Sequence, residues 1–299
     1  MKKIFISTFT LLLCVLAYSQ NNAIYPDITA KYAVKDGEEL YLDIYEPRTG
    51  SETEIDGRKK PTIVFMFGGA FCTGTRDYEG FSTWFMKMVS RGYRIVSIDY
   101  RLGLKGVEVK KSLKLAGKLD NAIQMAVADL FSATNYLIDN AEELGIEKDN
   151  IVISGSSAGA ITALQAEYEI CNGTDAAKVL PDGFNYAGVM SFSGAVFIHK
   201  RRLEFAKTPA PIMMLHGTKD SIVPYRGIKA FGMGFLGSSH IAKVLSKKGC
   251  AHTIYRYKKH DHEIAGYMDC SVGKQEDFLV DTVMGGRREI IDSRVDDRL

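Results

Sequence analysis

Short apolar runs alternate along the chain with segments in which apolar positions recur every three or four residues. Residues 62–67, 94–98, 151–153, 189–192 and 212–215 are apolar on both faces, the pattern of strands covered on both sides in a parallel sheet. Between them, Ile123, Val127, Leu130, Ala133, Leu137, Ala141 and Leu144 keep one apolar face at helical spacing. Residues 81–89 and 241–245 predict shorter helices. Upstream, residues 31–34 and 39–45 alternate around Asp36-Gly37 as an antiparallel hairpin does. Residues 253–257 predict a last strand, and 275–291 a closing helix weakened at Gly285-Gly286. Residues 48–60 read as a charged loop and 102–119 as a basic, glycine-containing loop that borders the functional edge. This alternation predicts an α/β fold: a mostly parallel central sheet of about eight strands with helices on both faces. Only residues 194–210 separate two of the buried strands, which leaves no room there for a large lid.

Composition changes this picture at the amino terminus. Lys2 and Lys3 precede a short apolar core, residues 4–16, and Ala17-Tyr18-Ser19 supplies the small residues of a cleavage site. Residues 1–19 are therefore expected to be an export signal and residues 20–299 a single domain. The apolar run is too short for a membrane anchor. The formal net charge of +2 falls to zero once Lys2 and Lys3 are set aside, so nothing in it points to nucleic acid or an acidic membrane surface. Four cysteines remain after the leader: Cys72, Cys171, Cys250 and Cys270. Either they stay as thiols, or an exported protein pairs them, in which case Cys250 with Cys270 would brace the last loop. No Cys-x-x-Cys spacing occurs, and no metal site or cofactor is expected.

The chemistry concentrates at the ends of the predicted strands. Gly155-Ser156-Ser157-Ala158-Gly159 lies between a buried strand and a helix, where small residues permit a sharp turn that exposes the hydroxyl of its central residue. Ser157 is the candidate nucleophile; the plainer reading is a helix-capping serine. Asp220, in the loop after the strand 212–215, is the candidate acid that orients a base. Four histidines follow it: His240, His252, His260 and His262. Only His260 and His262 fall in the loop after the last strand, and His262 is preferred as the base. The His-Asp-His-Glu stretch lacks a further His/Asp cluster that would make it a metal site. Gly68-Gly69-Ala70, after the strand 62–67, lets the main chain approach a substrate oxygen.

With these parts in the order Ser, Asp, His, the chain resembles an α/β-hydrolase of the serine carboxylesterase type. It is most similar to small exported esterases that group with acetylxylan, feruloyl and hormone-sensitive-lipase-like enzymes. The resemblance spans the whole mature chain and includes Asp99-Tyr100-Arg101-Leu102. It implies Gly69, Ala70 and Ala158 as oxyanion-hole donors, and an Arg101–Asp129 pair with a structural role. It also implies a glycan or small-molecule ester of acetyl or feruloyl type as substrate. Phe67 departs from the family's His-Gly-Gly stretch. Two other readings share the motif: a peptidase of the prolyl-oligopeptidase type, which normally carries a gating domain, and an inactive binding relative, which normally loses the serine or the histidine.

Overall fold

The computed structural model describes residues 24–107, 113–200, 202–230 and 232–296. The expected leader, residues 1–19, lies outside them. The chain opens with the hairpin β1 (Ile28–Lys35) and β2 (Glu38–Tyr45), and the charged loop carries a two-stranded ribbon, β3 (Glu54–Ile55) and β4 (Arg58–Lys59). Then follow β5 (Thr62–Met66), α1 (Ser82–Val89), β6 (Arg94–Ile98), α2 (Leu113–Asp139), α3 (Ala141–Leu144), β7 (Ile151–Ser156) and α4 (Ala158–Asn172). The second half adds β8 (Gly188–Phe192), β9 (Ala195–Ile198), β10 (Ile212–Gly217), β11 (Ile228–Ala230), β12 (Met233–Gly237) and α5 (Ser238–Lys248). It closes with β13 (His252–Tyr257), α6 (Val272–Asp277) and β14 (Ile290–Val295).

Nine strands form one sheet in the order β1-β2-β6-β5-β7-β8-β10-β13-β14. From β6 to β14 the pairing is parallel throughout, and β1 and β2 join antiparallel at one edge. Every residue of β5, β7, β8 and β10 is buried, so both faces of the sheet centre are covered. Such burial is why these strands read as continuous apolar runs and not as alternation. Helix α4 packs on β7 and α2, and α1 packs on β6 and α6. The Trp84 indole, 1% exposed, donates to Gln275 Oε1 at 2.8 Å and ties α1 to α6.

Two expectations need correction. The basic stretch 102–119 is not all loop: α2 begins at Leu113 and runs for 27 residues through Gly117. The closing helix does not reach residue 291. Helical structure ends at Met284, where Gly285-Gly286 breaks it, and β-branched Ile290 and Ile291 pair in parallel with β13 instead. The sheet therefore has a ninth strand. Of the two readings open for the cysteines, the thiols hold: Cys72, Cys171, Cys250 and Cys270 are all free. Cys250 is buried at the start of β13, whereas Cys270 is exposed beside the Lys87–Asp269 pair. The short segment between β8 and β10 supplies β9, which pairs with β12 and β11 in a small antiparallel sheet.

The Arg101–Asp129 pair forms as the resemblance implied. Asp129 is completely buried and accepts from Arg101 Nη2 at 2.8 Å, Arg101 Nε at 3.0 Å and the Arg101 backbone N–H at 2.8 Å. Lys35 approaches the same carboxylate at 3.2 Å. A buried carboxylate stripped of its main partner costs about 3–5 kcal/mol. Because Lys35 remains, Arg101→Ala is expected to lower the unfolding free energy toward the lower end of that range, measured by urea titration, without moving the KM for a small ester.

Candidate active site

Strand β7 passes directly into α4 through Ser157, whose backbone lies at φ 51° and ψ −110°. A non-glycine residue rarely adopts this region, and it is held here by close packing. A Cβ on Gly159 would sit 2.0 Å from the Met66 carbonyl oxygen, so the turn closes only because that position carries no side chain. The Ser157 backbone N–H donates to Phe192 O at 2.9 Å. Its hydroxyl makes no cap bond to α4, which removes the helix-cap explanation for this serine. It lies instead 2.8 Å from His262 Nε2. Ser156 is 4% exposed and turns the other way, donating to Ala265 O at 2.8 Å. The neighbouring hydroxyl thus fastens the histidine loop and takes no part in the relay.

His262 follows β13 in a short 3-10 turn, His262–Gly266, with Asp261 accepting from its backbone N–H at 2.8 Å. Its Nδ1 lies 2.8 Å from Asp220 Oδ2. The carboxylate fixes the tautomer: Nδ1 carries the proton, leaving Nε2 free to accept from Ser157. His260 is directed elsewhere, with Nδ1 2.8 Å from Glu263 Oε1. His240 lies on α5, and His252 opens β13 with Nδ1 2.8 Å from Cys250 O, so neither belongs to this arrangement. Gly217 brings the acid and histidine loops together. A Cβ there would lie 2.1 Å from Asp261 O.

The Asp220 side chain is fully buried, and both oxygens are saturated with donors. Oδ1 accepts from the backbone N–H groups of Ile222 at 3.0 Å and Val223 at 2.8 Å. Oδ2 accepts from His262 and also from His216 Nε2, at 3.1 Å. Burial alone would raise this carboxyl's pKa. Hydrogen bonds from His216, His262 and Val223 outweigh it and hold the group well below the ordinary carboxylate range. His216 is the residue that sequence reasoning missed. It is completely buried, its Nε2 also lies 3.0 Å from Val223 O, and Nδ1 lies 2.8 Å from Ser238 Oγ. The available signal was its position, at the end of a strand and four residues before the acid.

The oxyanion loop follows β5 and bends through positive φ at three successive residues: Gly69 (126°), Ala70 (54°) and Phe71 (59°). Ala70, Ala158 and Ser157 line one cavity of about 300 Å³. Gly69 precedes this lining, and its carbonyl accepts from Cys72 and Thr73 N–H at 3.0 and 3.1 Å. Of the three expected donors, two therefore face the same space as the serine. Phe67 stacks on Tyr100 with ring centroids 4.4 Å apart, and the Tyr100 hydroxyl donates to Phe67 O at 2.8 Å. This aromatic pair anchors the loop where the related esterases carry histidine. The rest of the cavity is apolar, with Phe71, Leu104, Val107, Leu119, Ile161 and Phe235 around it. The stretch 102–119, expected to border this edge, contributes Leu104, Val107 and Leu119, and Cys72 and Phe235 of β12 complete the wall.

Comparison with known proteins agrees with this geometry. A family model described as Phospholipase/Carboxylesterase matches residues 114–268, and one described as BD-FAE matches residues 42–173. Crystal protein of Dictyostelium discoideum is 32% identical over 126 residues, which is 41% of this chain and 20% of that protein. Gut esterase 1 of Caenorhabditis briggsae is 27% identical over 139 residues, 46% of this chain and 23% of that protein. The chain thus spans only about a fifth of the length of these relatives. Among solved structures, butyrate-bound esterase 2 of Thermogutta terrifontis superposes with a TM-score of 0.60 at 20% identity, covering 85% of this chain and 93% of that one. The same esterase phosphorylated by paraoxon gives 0.58 at 20% identity, covering 85% and 94%. These likenesses carry the α/β-hydrolase fold.

Two predictions follow from Asp220. Its folded pKa lies well below its unfolded value, so its contribution to stability is fully present above the ordinary carboxylate value and is lost as pH falls from there toward the lower folded value. In Asp220→Asn the fall in melting temperature between about pH 4 and pH 2 is expected to be shallower than in the wild type, and kcat is expected to drop by about 10⁴. His216→Ala removes one hydrogen bond to a charged acceptor, worth about 1.5–3 kcal/mol. It is expected to lower kcat by about 10- to 150-fold with little change in KM. An unchanged kcat in a folded His216→Ala protein would show that this contact does not steady the acid.

Proposed function

The chain belongs to the phospholipase/carboxylesterase family, and from that membership we propose that it is a serine carboxylic-ester hydrolase working through an acyl-enzyme. The observation that carries the reading is the unbroken relay from the strained Ser157 hydroxyl through His262 to a buried, fully hydrogen-bonded Asp220. In this mechanism His262 Nε2 takes the Ser157 proton as Oγ bonds to the acyl carbon, and Asp220 stabilises the imidazolium. Ala70 and Ala158 N–H, with Gly69 beside them, bind the oxyanion, each such donor being worth about 3 kcal/mol of barrier. His262 then protonates the departing alcohol. Water, deprotonated by the same nitrogen, releases the acid and restores the serine.

Substrate size follows from the cavity. Its wall is built from phenylalanine and aliphatic side chains, and a volume of about 300 Å³ is more than an acetyl group fills. Of the acetyl and feruloyl esters that the family resemblance suggests, the apolar wall favours an aromatic or medium-length acyl group on a glycan alcohol. The leader-like residues 1–19 support export to where such glycans occur, and among the described residues no helix is long and apolar enough to cross a membrane. A peptidase of the prolyl-oligopeptidase type would use the same relay on an amide.

Assays with p-nitrophenyl acetate, propionate and butyrate, methyl ferulate and peptide anilides test the reading. Each methylene buried in the cavity is worth about 0.8 kcal/mol, so kcat/KM is expected to rise about fourfold per carbon from acetate to butyrate. Ser157→Ala is expected to abolish turnover while keeping the melting temperature. Faster cleavage of peptide anilides than of esters would replace the esterase with a peptidase, and unchanged hydrolysis by Ser157→Ala would remove the relay from the chemistry.

A further inference from the structure

The loop that carries Asp220 separates two cavities. Ile222 and Val223 face the serine. Tyr225 and Arg226, a few residues on, face a groove of about 920 Å³ between α5 and the strands β13 and β14. Six cations line this groove: Arg226, Lys243, Lys247, Arg256, Lys258 and Arg294. Asp292 is the one acidic residue of the lining. It is taken by Arg256, through Nε at 2.5 Å and Nη2 at 2.8 Å, and Lys258 pairs with Asp296 at 2.8 Å. Arg226, Lys243, Lys247 and Arg294 are exposed and have no acidic partner within salt-bridge distance among the described residues. In a chain whose net charge is only +2, this is a local concentration of positive potential and not a general basicity.

The uncharged part of the lining narrows the ligand. The Tyr225 ring lies 5.8 Å from the Arg256 guanidinium, and Thr218, Ser239 and Ser246 line the same groove, with Ser246 Oγ 3.2 Å from His252 Nε2 and Thr218 Oγ1 accepting from Lys259 N–H at 3.3 Å. Lys243 and Lys247 stand one helical turn apart along α5, so the charges form a row and not a single focus. Ser239, in the first turn of α5, borders the groove, but its backbone N–H is spent on Tyr225 O at 3.0 Å, and the described lining residues include no glycine-rich loop that would gather one phosphate as nucleotide sites do. An aromatic face, scattered hydroxyls and a row of cations match a sugar chain with carboxylates spaced along it.

We propose that this groove binds a glycan bearing uronic-acid carboxylates, and so holds an acidic polysaccharide beside the ester-cleaving site; the choice of a glycan rests on the carbohydrate-ester reading above. Thr218 opens the loop that holds Asp220, and Lys258 ends the strand-to-loop passage that leads to His262. A chain lying in the groove therefore runs along the back of the acid loop, outside the serine cavity.

The test is isothermal titration of the full protein with a glucuronic-acid-substituted xylo-oligosaccharide, its neutral counterpart, a heparin oligosaccharide and a single-stranded DNA oligonucleotide. The acidic xylo-oligosaccharide is expected to bind at least tenfold more tightly than the neutral one, and to weaken as salt rises. Two variants remove the charges separately: Lys243→Gln with Lys247→Gln on the exposed side of α5, and Arg226→Gln with Arg294→Gln. Each is expected to lose at least fivefold in affinity for the acidic oligosaccharide while kcat/KM for p-nitrophenyl butyrate stays within twofold. Equal binding of the acidic and neutral sugars overturns the proposal, as does undiminished affinity in both variants. Tighter binding of DNA or heparin overturns it in favour of a general polyanion surface. Acidic-sugar binding in a protein that hydrolyses no ester would sink the esterase reading and leave the groove standing.

Discussion

A single buried negative charge organises this molecule's working edge. The Asp220 side chain has no access to solvent, and a carboxylate taken out of water is tolerable only if every lone pair is matched. Four donors do so: two backbone N–H groups of its own loop and two imidazoles. The loop 220–223 therefore has one shape, the one that turns both amides onto Oδ1. The remaining oxygen has a fixed direction, and His262 must lie along it. Once the imidazole is set, so is the position where a serine hydroxyl can meet Nε2. The geometry of the relay is thus a consequence of solvating one charge with protein groups.

The serine meets this demand from the other side of the sheet's rim. Its turn is strained, and strain of that kind persists only where the surroundings leave no alternative. Here the surroundings are main chain: Gly159 against the Met66 carbonyl, and Ser157 N–H on Phe192. Ser156 adds a direct tie to the histidine loop through Ala265. The serine turn and the histidine loop are therefore joined twice, once through the Ser157 hydroxyl and once through Ser156.

Much of this was legible in the sequence because the central sheet is parallel and covered. Burial on both faces writes β5, β6, β7, β8 and β10 as uninterrupted apolar runs, and such runs end where the functional loops begin. Ser157 and Asp220 could be placed because each stands just past one of those ends, and His262 because it falls in the loop after the last strand that the pattern predicted, β13. The errors fall where that signal is weak. Strand β14 lies at the sheet edge with five of its six residues not fully buried, so its sequence keeps a mixed polarity that also suits a helix. The start of α2 carries lysines and Gly117, which read as loop, although the helix continues through them. His216 was silent for the opposite reason. Placed at the end of a buried strand, it looked like part of the core, and its role depends on Asp220 folding back four residues later to meet it.

Position 67 shows how far a motif can drift while its task is kept. An oxyanion loop must hold its peptide planes in one orientation before charge develops, since reorganising them during the reaction would cost the stabilisation they provide. The related esterases place a histidine at this point; this chain has Phe67. Its ring packs against Tyr100, and the Tyr100 hydroxyl takes the Phe67 carbonyl. The same Tyr100 ring lies edge-on to Phe71, the last residue of the bend. One tyrosine thus grips the loop ahead of its three positive-φ residues and again at the last of them. The next residue in sequence, Arg101, is fixed by the buried Asp129. The Asp-Tyr-Arg stretch acts structurally, as the resemblance implied, and through Tyr100 it holds both Phe67 and Phe71 of the loop. Rigidity reaches the oxyanion site through Asp129, Arg101 and Tyr100, none of which needs to touch a substrate.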